Sequence, residues 1–124
     1  MDMERRLFAV RAATQLDRDN REEIIDAVCD MYDRVCETNG IGVPDMVSIM
    51  FTMTSDLRTT NPATALRSRD ERFAVPLFCM QEPDVDNMLA RTIRLIIHYY
   101  APGHHVPKAV YLHGATRLRP DLSR

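Results

Sequence analysis

The stretch 78–94 carries three side chains that could do chemistry within otherwise apolar segments: the Cys79 thiol, the Glu82 carboxylate and the Arg94 guanidinium. No Ser, Cys or His has a partner at a spacing typical of a nucleophile and its base, and the chain has no glycine-rich phosphate loop. What remains is a set of arginines together with Glu82, Tyr111 and Cys79. That set favours recognition of a small dicarboxylate over proton transfer.

The basic residues are 15 Arg and one Lys. Codon bias is one explanation of this ratio. The other is chemical, because a guanidinium stays charged and forks onto carboxylates where an ammonium cannot. Both explanations remain open.

The bulk composition predicts a single domain, residues 1–124, that is large enough to bury one core. The net charge is only −2, so no nucleic-acid partner is expected. Three cysteines and a charged start without a secretory signal favour a reduced, cytoplasmic protein. No apolar run approaches the ~20 residues that span a bilayer, so no membrane partner is expected.

The first half of the chain predicts a strand followed by a helix. The strand covers 7–14, with Arg11 near its C-terminal end. Asn20 followed by Glu23 is typical of a helix N-cap, and apolar residues then recur at helical spacing. The helix should end near Asn39-Gly40, because both residue types tolerate the left-handed conformation of a C-cap.

The middle of the chain predicts two strands around a short helix. Residues 46–54 alternate between apolar and polar or Met side chains, which indicates a half-buried strand. Pro62 starts a helix that carries Arg67, which on the residues alone is a solvated charge. A third strand is predicted over 73–80, and Pro76 within it favours an edge position because proline cannot donate to the ladder.

The last part of the chain predicts two more strands. Residues 91–100 alternate so that Arg94 points away from the wholly apolar face. A loop follows in which His104-His105 is expected to be solvated, and 108–113 is a last strand that presents Tyr111. The polar tail is expected to be a short helical turn or mobile. Strands interleaved with helices on one small sheet predict an α/β or α+β fold.

The sequence resembles the AroH-type, monofunctional α/β chorismate mutases over nearly the whole chain, through five short motifs in the same order. The motifs are Val10-Arg11-Ala12-Ala13-Thr14, Cys79-Met80-Gln81-Glu82, Ile93-Arg94, Val110-Tyr111-Leu112 and Leu118-Arg119-Pro120-Asp121-Leu122-Ser123. The resemblance implies a mixed five-stranded sheet with helices on one side, in a homotrimeric pseudo-α/β-barrel with active sites between subunits. It also implies chorismate as the substrate, with no metal and no cofactor.

The family reaction is the pericyclic Claisen rearrangement of chorismate to prephenate, in the biosynthesis of aromatic amino acids. By resemblance, Arg94 places positive charge at the ether oxygen and also reaches a carboxylate. Arg11 and Tyr111 would fix the enolpyruvyl carboxylate, while Glu82 and Cys79 would bind the ring hydroxyl. The alternative for Glu82 is simple neutralisation of an arginine in the empty site, and both roles can hold together.

Further positions near the pocket follow from the same resemblance. Arg67 would attract the dianionic substrate, and Leu118 and Arg119 belong to a tail expected to close the site. Asn61 stands where the family has an aromatic lining residue, while Phe78 stands where a small residue is usual. We hypothesise that the aromatic wall has moved from one side of the subunit interface to the other.

Two more departures from the family pattern bear on substrate choice more than on reaction type. Ala12 stands where Gly is usual, and Thr64 stands where Lys is frequent. Two alternatives to a chorismate mutase remain: a mutase for a chorismate derivative in secondary metabolism, or a non-catalytic trimeric module that binds dicarboxylates. The presence of both Arg94 and Glu82 speaks against the module, because a binder needs no group aimed at the ether oxygen.

Overall fold

The structure is a computed structural model and describes residues 4–118. Within these residues no helix is both long and apolar enough to span a membrane. The chain alternates strands and helices in the order β1 (Arg5–Gln15), α1 (Arg21–Asn39), β2 (Met46–Met53), α2 (Pro62–Arg69), β3 (Leu77–Gln81), β4 (Thr92–Pro102) and β5 (Val110–Leu112). Two short 3-10 helices cover Val43–Asp45 and His113–Leu118.

The strands form one mixed sheet in the order β3-β2-β4-β1-β5. Strand β4 is antiparallel to both β1 and β2, whereas β3 is parallel to β2 and β5 is parallel to β1. The predicted mixed five-stranded sheet is therefore confirmed. Strand β3 lies at an edge, as Pro76 predicted, and Pro76 itself lies just before the strand.

Both helices cover the same face of the sheet and bury one continuous core. Helix α1 contributes one apolar stripe and the central strands contribute alternate residues. Fully buried members are Ile24, Val28, Met31 and Val35 from the helix, with Ile49, Phe51, Ile93 and Ile97 from the sheet. Neither α1 nor α2 covers the opposite face of the sheet, and this open face carries Arg94, as the alternation predicted.

Local signals for both helices are confirmed at their ends. The Asn20 side chain accepts a hydrogen bond from the Glu23 amide at 3.0 Å, and Gly40 closes α1 in the left-handed conformation with φ +63°. Pro62 occupies the first turn of α2. These short-range preferences therefore determine where both helices begin and where α1 ends.

Two strand predictions need correction. Strand β3 starts at Leu77 rather than at 73, because the chain before Pro76 forms a turn after α2. Strand β5 starts at Val110 rather than at 108, because both backbone groups of Lys108 are hydrogen-bonded to the Asn39 side chain instead of to a strand. Asn39 Oδ1 accepts from the Lys108 amide at 2.7 Å, and Asn39 Nδ2 donates to the Lys108 carbonyl at 3.0 Å.

The prediction of a solvated histidine pair is wrong for His105. Its Nε2 lies 2.6 Å from the hydroxyl of the buried Tyr99. Its ring also packs edge-on against Phe8, with centroids 5.1 Å apart. His104 alone is exposed, so His105 fastens the loop after β4 to the sheet.

Candidate active site

One row of paired residues crosses the open face of the sheet. Thr52 pairs with Met80 of β3 and with Arg94 of β4. Arg94 pairs in turn with Ala13 of β1, which pairs with Tyr111 of β5. Directly paired residues project to the same face, so strands that are distant in sequence bring a hydroxyl, a guanidinium and a phenol into line.

Glu82 completes this row from just beyond the end of β3. Its amide donates to the Met53 carbonyl at 2.9 Å, which fixes the backbone beside β2. Its Oε1 accepts from Arg94 Nε at 2.5 Å and from Thr52 Oγ1 at 2.6 Å, while Oε2 accepts from Arg94 Nη2 at 2.6 Å. The result is a bidentate ion pair that a third donor supports.

The ion pair keeps both of its groups charged. The Arg94 guanidinium holds the pKa of the Glu82 carboxyl below its usual range, against the opposing effect of burial and with help from Thr52. The bond to Glu82 in turn raises the pKa of Arg94, and the nearby Tyr111 phenol adds a smaller contribution. A negative and a positive group are therefore fixed side by side across the neutral pH range.

Two hollows adjoin this ion pair and share Thr52, Met80, Glu82 and Arg94 as lining residues. The first is a cavity of about 310 Å³ whose remaining walls are Arg11, Met50, Leu95 and Ile96. The second is a cavity of about 470 Å³ that extends under the loop after β3, along Gln81, Pro83, Val85 and Met88. The first hollow combines two arginines with apolar walls, which suits a small anion that has a carbon ring.

Arg11, Arg94 and Glu82 are thus brought together as candidate site residues. Arg11 pairs with Ile96 on the neighbouring strand and lines the first hollow. Tyr111 lies on the same row as Arg94, although it lines neither hollow. The arrangement offers positive charge from two directions and one fixed carboxylate.

The Cys79 side chain is not brought to this pocket. Cys79 pairs with the fully buried Phe51, so its thiol points to the helix-covered face and packs against the core. Burial raises the pKa of the thiol. Only the backbone of Cys79 is left to approach a ligand on the open face.

Four other predicted residues line neither hollow within one chain. Asn61 is the N-cap of α2, since its Oδ1 accepts from the Thr64 amide at 2.9 Å. Arg67 is exposed on α2, and Phe78 is 69% exposed on the open face opposite Met50. Leu118 ends the 3-10 helix that begins at His113.

Two departures have a plain local setting, and one predicted residue cannot be placed. Ala12 is buried in the core and Thr64 is exposed on α2. Arg119 lies outside the described residues. Its proposed role in a closing tail stays a prediction.

Sequence reasoning missed the residues that line the pocket without carrying charge. In the first hollow these are Met50, Thr52, Met80, Leu95 and Ile96. A usable signal existed, because Thr52 lies on the polar face of an alternating strand and Ile96 shares a face with Arg94. Which strand lies beside which was the information that the sequence lacked.

Comparisons with known proteins relate the chain to one family. The model of the family described as chorismate mutase type I matches residues 7–122. The chorismate mutase AroH of Bacillus subtilis (strain 168) is 34% identical over 116 residues, covering 92% of this chain and 91% of the relative. The enzyme of the same name from Thermus thermophilus is also 34% identical over 116 residues, covering 91% and 93%. Among solved structures, a chorismate mutase from Clostridium thermocellum superposes with a TM-score of 0.80 at 33% identity, over 89% of this chain and 98% of that one.

Proposed function

Since the chain belongs to the type I chorismate mutase family, we propose that the pocket around Arg94 and Glu82 is where it rearranges chorismate to prephenate. The protein is an isomerase of aromatic amino-acid biosynthesis, and the alternatives of a derivative-specific mutase or a silent binding module are not favoured. The observation that carries the proposal is the Arg94–Glu82 ion pair beside a hollow that also holds Arg11.

The chemistry asks little of the protein in covalent terms. A pericyclic shift breaks the ether bond and forms a carbon–carbon bond within one substrate molecule, without an obligatory proton transfer. An enzyme accelerates it by holding the compact, reactive conformer and by stabilising the charge that builds up on the ether oxygen. The pocket offers restraint through its apolar walls and charge through its arginines.

Arg94 is proposed as the donor to the ether oxygen. Glu82 uses two of the five N–H donors of a guanidinium. The remaining donors can reach an oxygen in the first hollow, because Arg94 lines it while still bonded to Glu82. The ion pair thus fixes the direction of the charge before the substrate arrives, which avoids reorganisation during the reaction.

The other charged groups are proposed to recognise the substrate rather than to transform it. Arg11, with Tyr111, would bind the enolpyruvyl carboxylate, because both lie on the Arg94 side of the open face. Glu82 would accept the ring hydroxyl, with the Cys79 backbone beside it. The pocket walls formed by Met50 and neighbouring side chains would exclude water and hold the ring.

The site is proposed to be completed by other subunits of a homotrimer. The open face exposes large apolar side chains, which a folded monomer rarely leaves uncovered. They are Leu7, Met50, Phe78, Met80 and Tyr100. A pseudo-barrel with this face inside would cover them, and Arg67, Asn61, Phe78, Leu118 and Arg119 could then meet the pocket of a neighbouring subunit.

Two measurements test the proposal directly. When purified protein is mixed with chorismate, the absorbance of chorismate should fall and prephenate should form, both at a rate proportional to enzyme concentration. Size-exclusion chromatography with light scattering should give about three times the 14.3 kDa chain mass. Absence of turnover would refute the activity, while a fully active monomer would refute the shared site.

A cytoplasmic location is also proposed, in keeping with the three free thiols Cys29, Cys36 and Cys79.

A further inference from the structure

Thr52 donates to the same carboxylate of Glu82 that Arg94 holds. It is the β2 residue in the row between Met80 and Arg94, and its hydroxyl donates to Glu82 Oε1 at 2.6 Å. Glu82 lies just beyond the end of β3, and Arg94 holds its carboxylate through two bonds. The Thr52 hydroxyl adds a third bond from the neighbouring strand and so helps to fix the position of the carboxylate.

The two oxygens of Glu82 are used unequally. Oε1 accepts from both Arg94 Nε and Thr52 Oγ1, whereas Oε2 accepts from Arg94 Nη2 alone among the residues that the structure describes. A carboxylate oxygen has about two lone-pair directions. Oε1 is thus saturated, and Oε2 is the oxygen with capacity for one more donor.

We propose that Thr52 is a positioning residue that saturates Oε1 of Glu82 and so presents Oε2 to the substrate hydroxyl. The role rests on the proposed function, because it concerns how Glu82 meets the substrate. It adds a determinant that lies outside the predicted set of charged residues. Thr52 acts through its bond to Glu82.

Removing the hydroxyl has a consequence for pH that a packing role would not produce. The Thr52 bond is one of the causes that lower the pKa of Glu82, after Arg94. The other ionisable groups on this face of the sheet include Arg5, Arg11, His98, Tyr100 and Tyr111, and they are unchanged in a Thr52 variant. Without the hydroxyl the carboxylate is less favoured, so the acid limb of the activity profile should move to higher pH.

The test compares Thr52→Val, Thr52→Ala and Thr52→Ser with the wild type. Thr52→Val removes the hydroxyl but keeps the β-branched shape, Thr52→Ala removes both, and Thr52→Ser keeps the hydroxyl. We expect kcat/KM to fall about 10-fold in the Val and Ala variants, as for loss of one hydrogen bond to a charged group, and to recover in the Ser variant. The NMR titration of the Glu82 carboxyl, which needs no turnover, should show a higher pKa in the first two variants only.

Ser48→Ala is the matched control. Ser48 lies on the same face of β2, but its hydroxyl faces His98 Nδ1 at 3.3 Å rather than a carboxylate. It should leave kcat/KM and the acid limb unchanged. An unmoved acid limb and an unmoved Glu82 titration in Thr52→Val and Thr52→Ala would overturn the proposal, as would an equal loss in Thr52→Ser. Absence of chorismate turnover by the wild-type protein would overturn the proposed function itself, whereas the Glu82 titration tests the role of Thr52 without turnover.

Discussion

Replacing Arg94 with Gln should lower kcat by at least about 100-fold. The magnitude follows from the geometry, because Arg94 reaches Glu82 at 2.5 and 2.6 Å with two N–H groups and keeps others for the first hollow. Glutamine is shorter and uncharged, so it cannot serve both partners. Loss of one preorganised donor at a developing negative charge costs on the order of 3 kcal/mol.

The same change should have only a small effect on folding. In the single chain the Arg94 side chain is 48% exposed and the Glu82 side chain is 12% exposed, and an ion pair with one such exposed partner contributes about 1 kcal/mol. The thermal midpoint should therefore fall by roughly 4 °C. Glu82 keeps its bond from Thr52, so the carboxylate is not left without a partner.

The assay is the initial rate of chorismate consumption, with circular dichroism melting on the same samples. Arg94→Lys should lie between the wild type and Arg94→Gln, because an ammonium keeps the charge and loses the fork. Arg34→Gln is the matched control, since Arg34 forms an exposed pair with Asp30 on α1, away from the pocket. A folded Arg94→Gln enzyme with near-normal kcat would refute the assignment of Arg94.

Three further predictions use other measurements. Because the pKa of Glu82 is lowered and that of Arg94 is raised, kcat should be nearly flat from about pH 6 to 9, and a bell-shaped profile of kcat inside that range would contradict this expectation. The stability that Glu82 contributes is present above its ordinary pKa of 4.5 and is lost as the pH falls through the lower pKa of the folded protein. Thr14→Val should raise the free energy of unfolding by about 1 kcal/mol in urea, because Thr14 Oγ1 is buried without a partner among residues 4–118, and a lower midpoint would show that it bonds elsewhere. Asn61→Phe should cost about 1 kcal/mol of stability by removing the α2 cap, while Asn61→Asp should keep it; equal stability of the two variants would show that the cap contributes nothing.

Local chemistry predicted well those features that depend on nearby residues. Asn20 and Gly40 marked the ends of α1, and the alternation around Arg94 indicated which face of the sheet this side chain occupies. Long-range contacts decided the rest. The register that sets Thr52 beside Arg94 cannot be derived from either strand alone.

The prediction for the Cys79 thiol failed for a related reason. Proximity to Glu82 in sequence suggested a shared pocket, yet alternation along β3 turns Cys79 to the core. The shortened β5 has the same kind of cause, since the Asn39 side chain, 69 positions away in sequence, accepts a hydrogen bond from the Lys108 amide. Such side-chain bonds to a distant backbone leave no periodic signal in the sequence.

The position of β1 inside the sheet has a consequence for how the chain folds as it is synthesised. Its two neighbours in the sheet are β4 and β5. Arg5 pairs with Pro102 and Ala12 pairs with Val110, so both partners are synthesised much later than β1. Strand β1 therefore leaves the ribosome before either of its partner strands and gains its hydrogen bonds late. Pairings this distant slow folding and expose apolar strands in the meantime. We expect α1 to form early and the nascent β1 to depend on chaperones, so that translation paused before residue 92 should leave β1 sensitive to proteases.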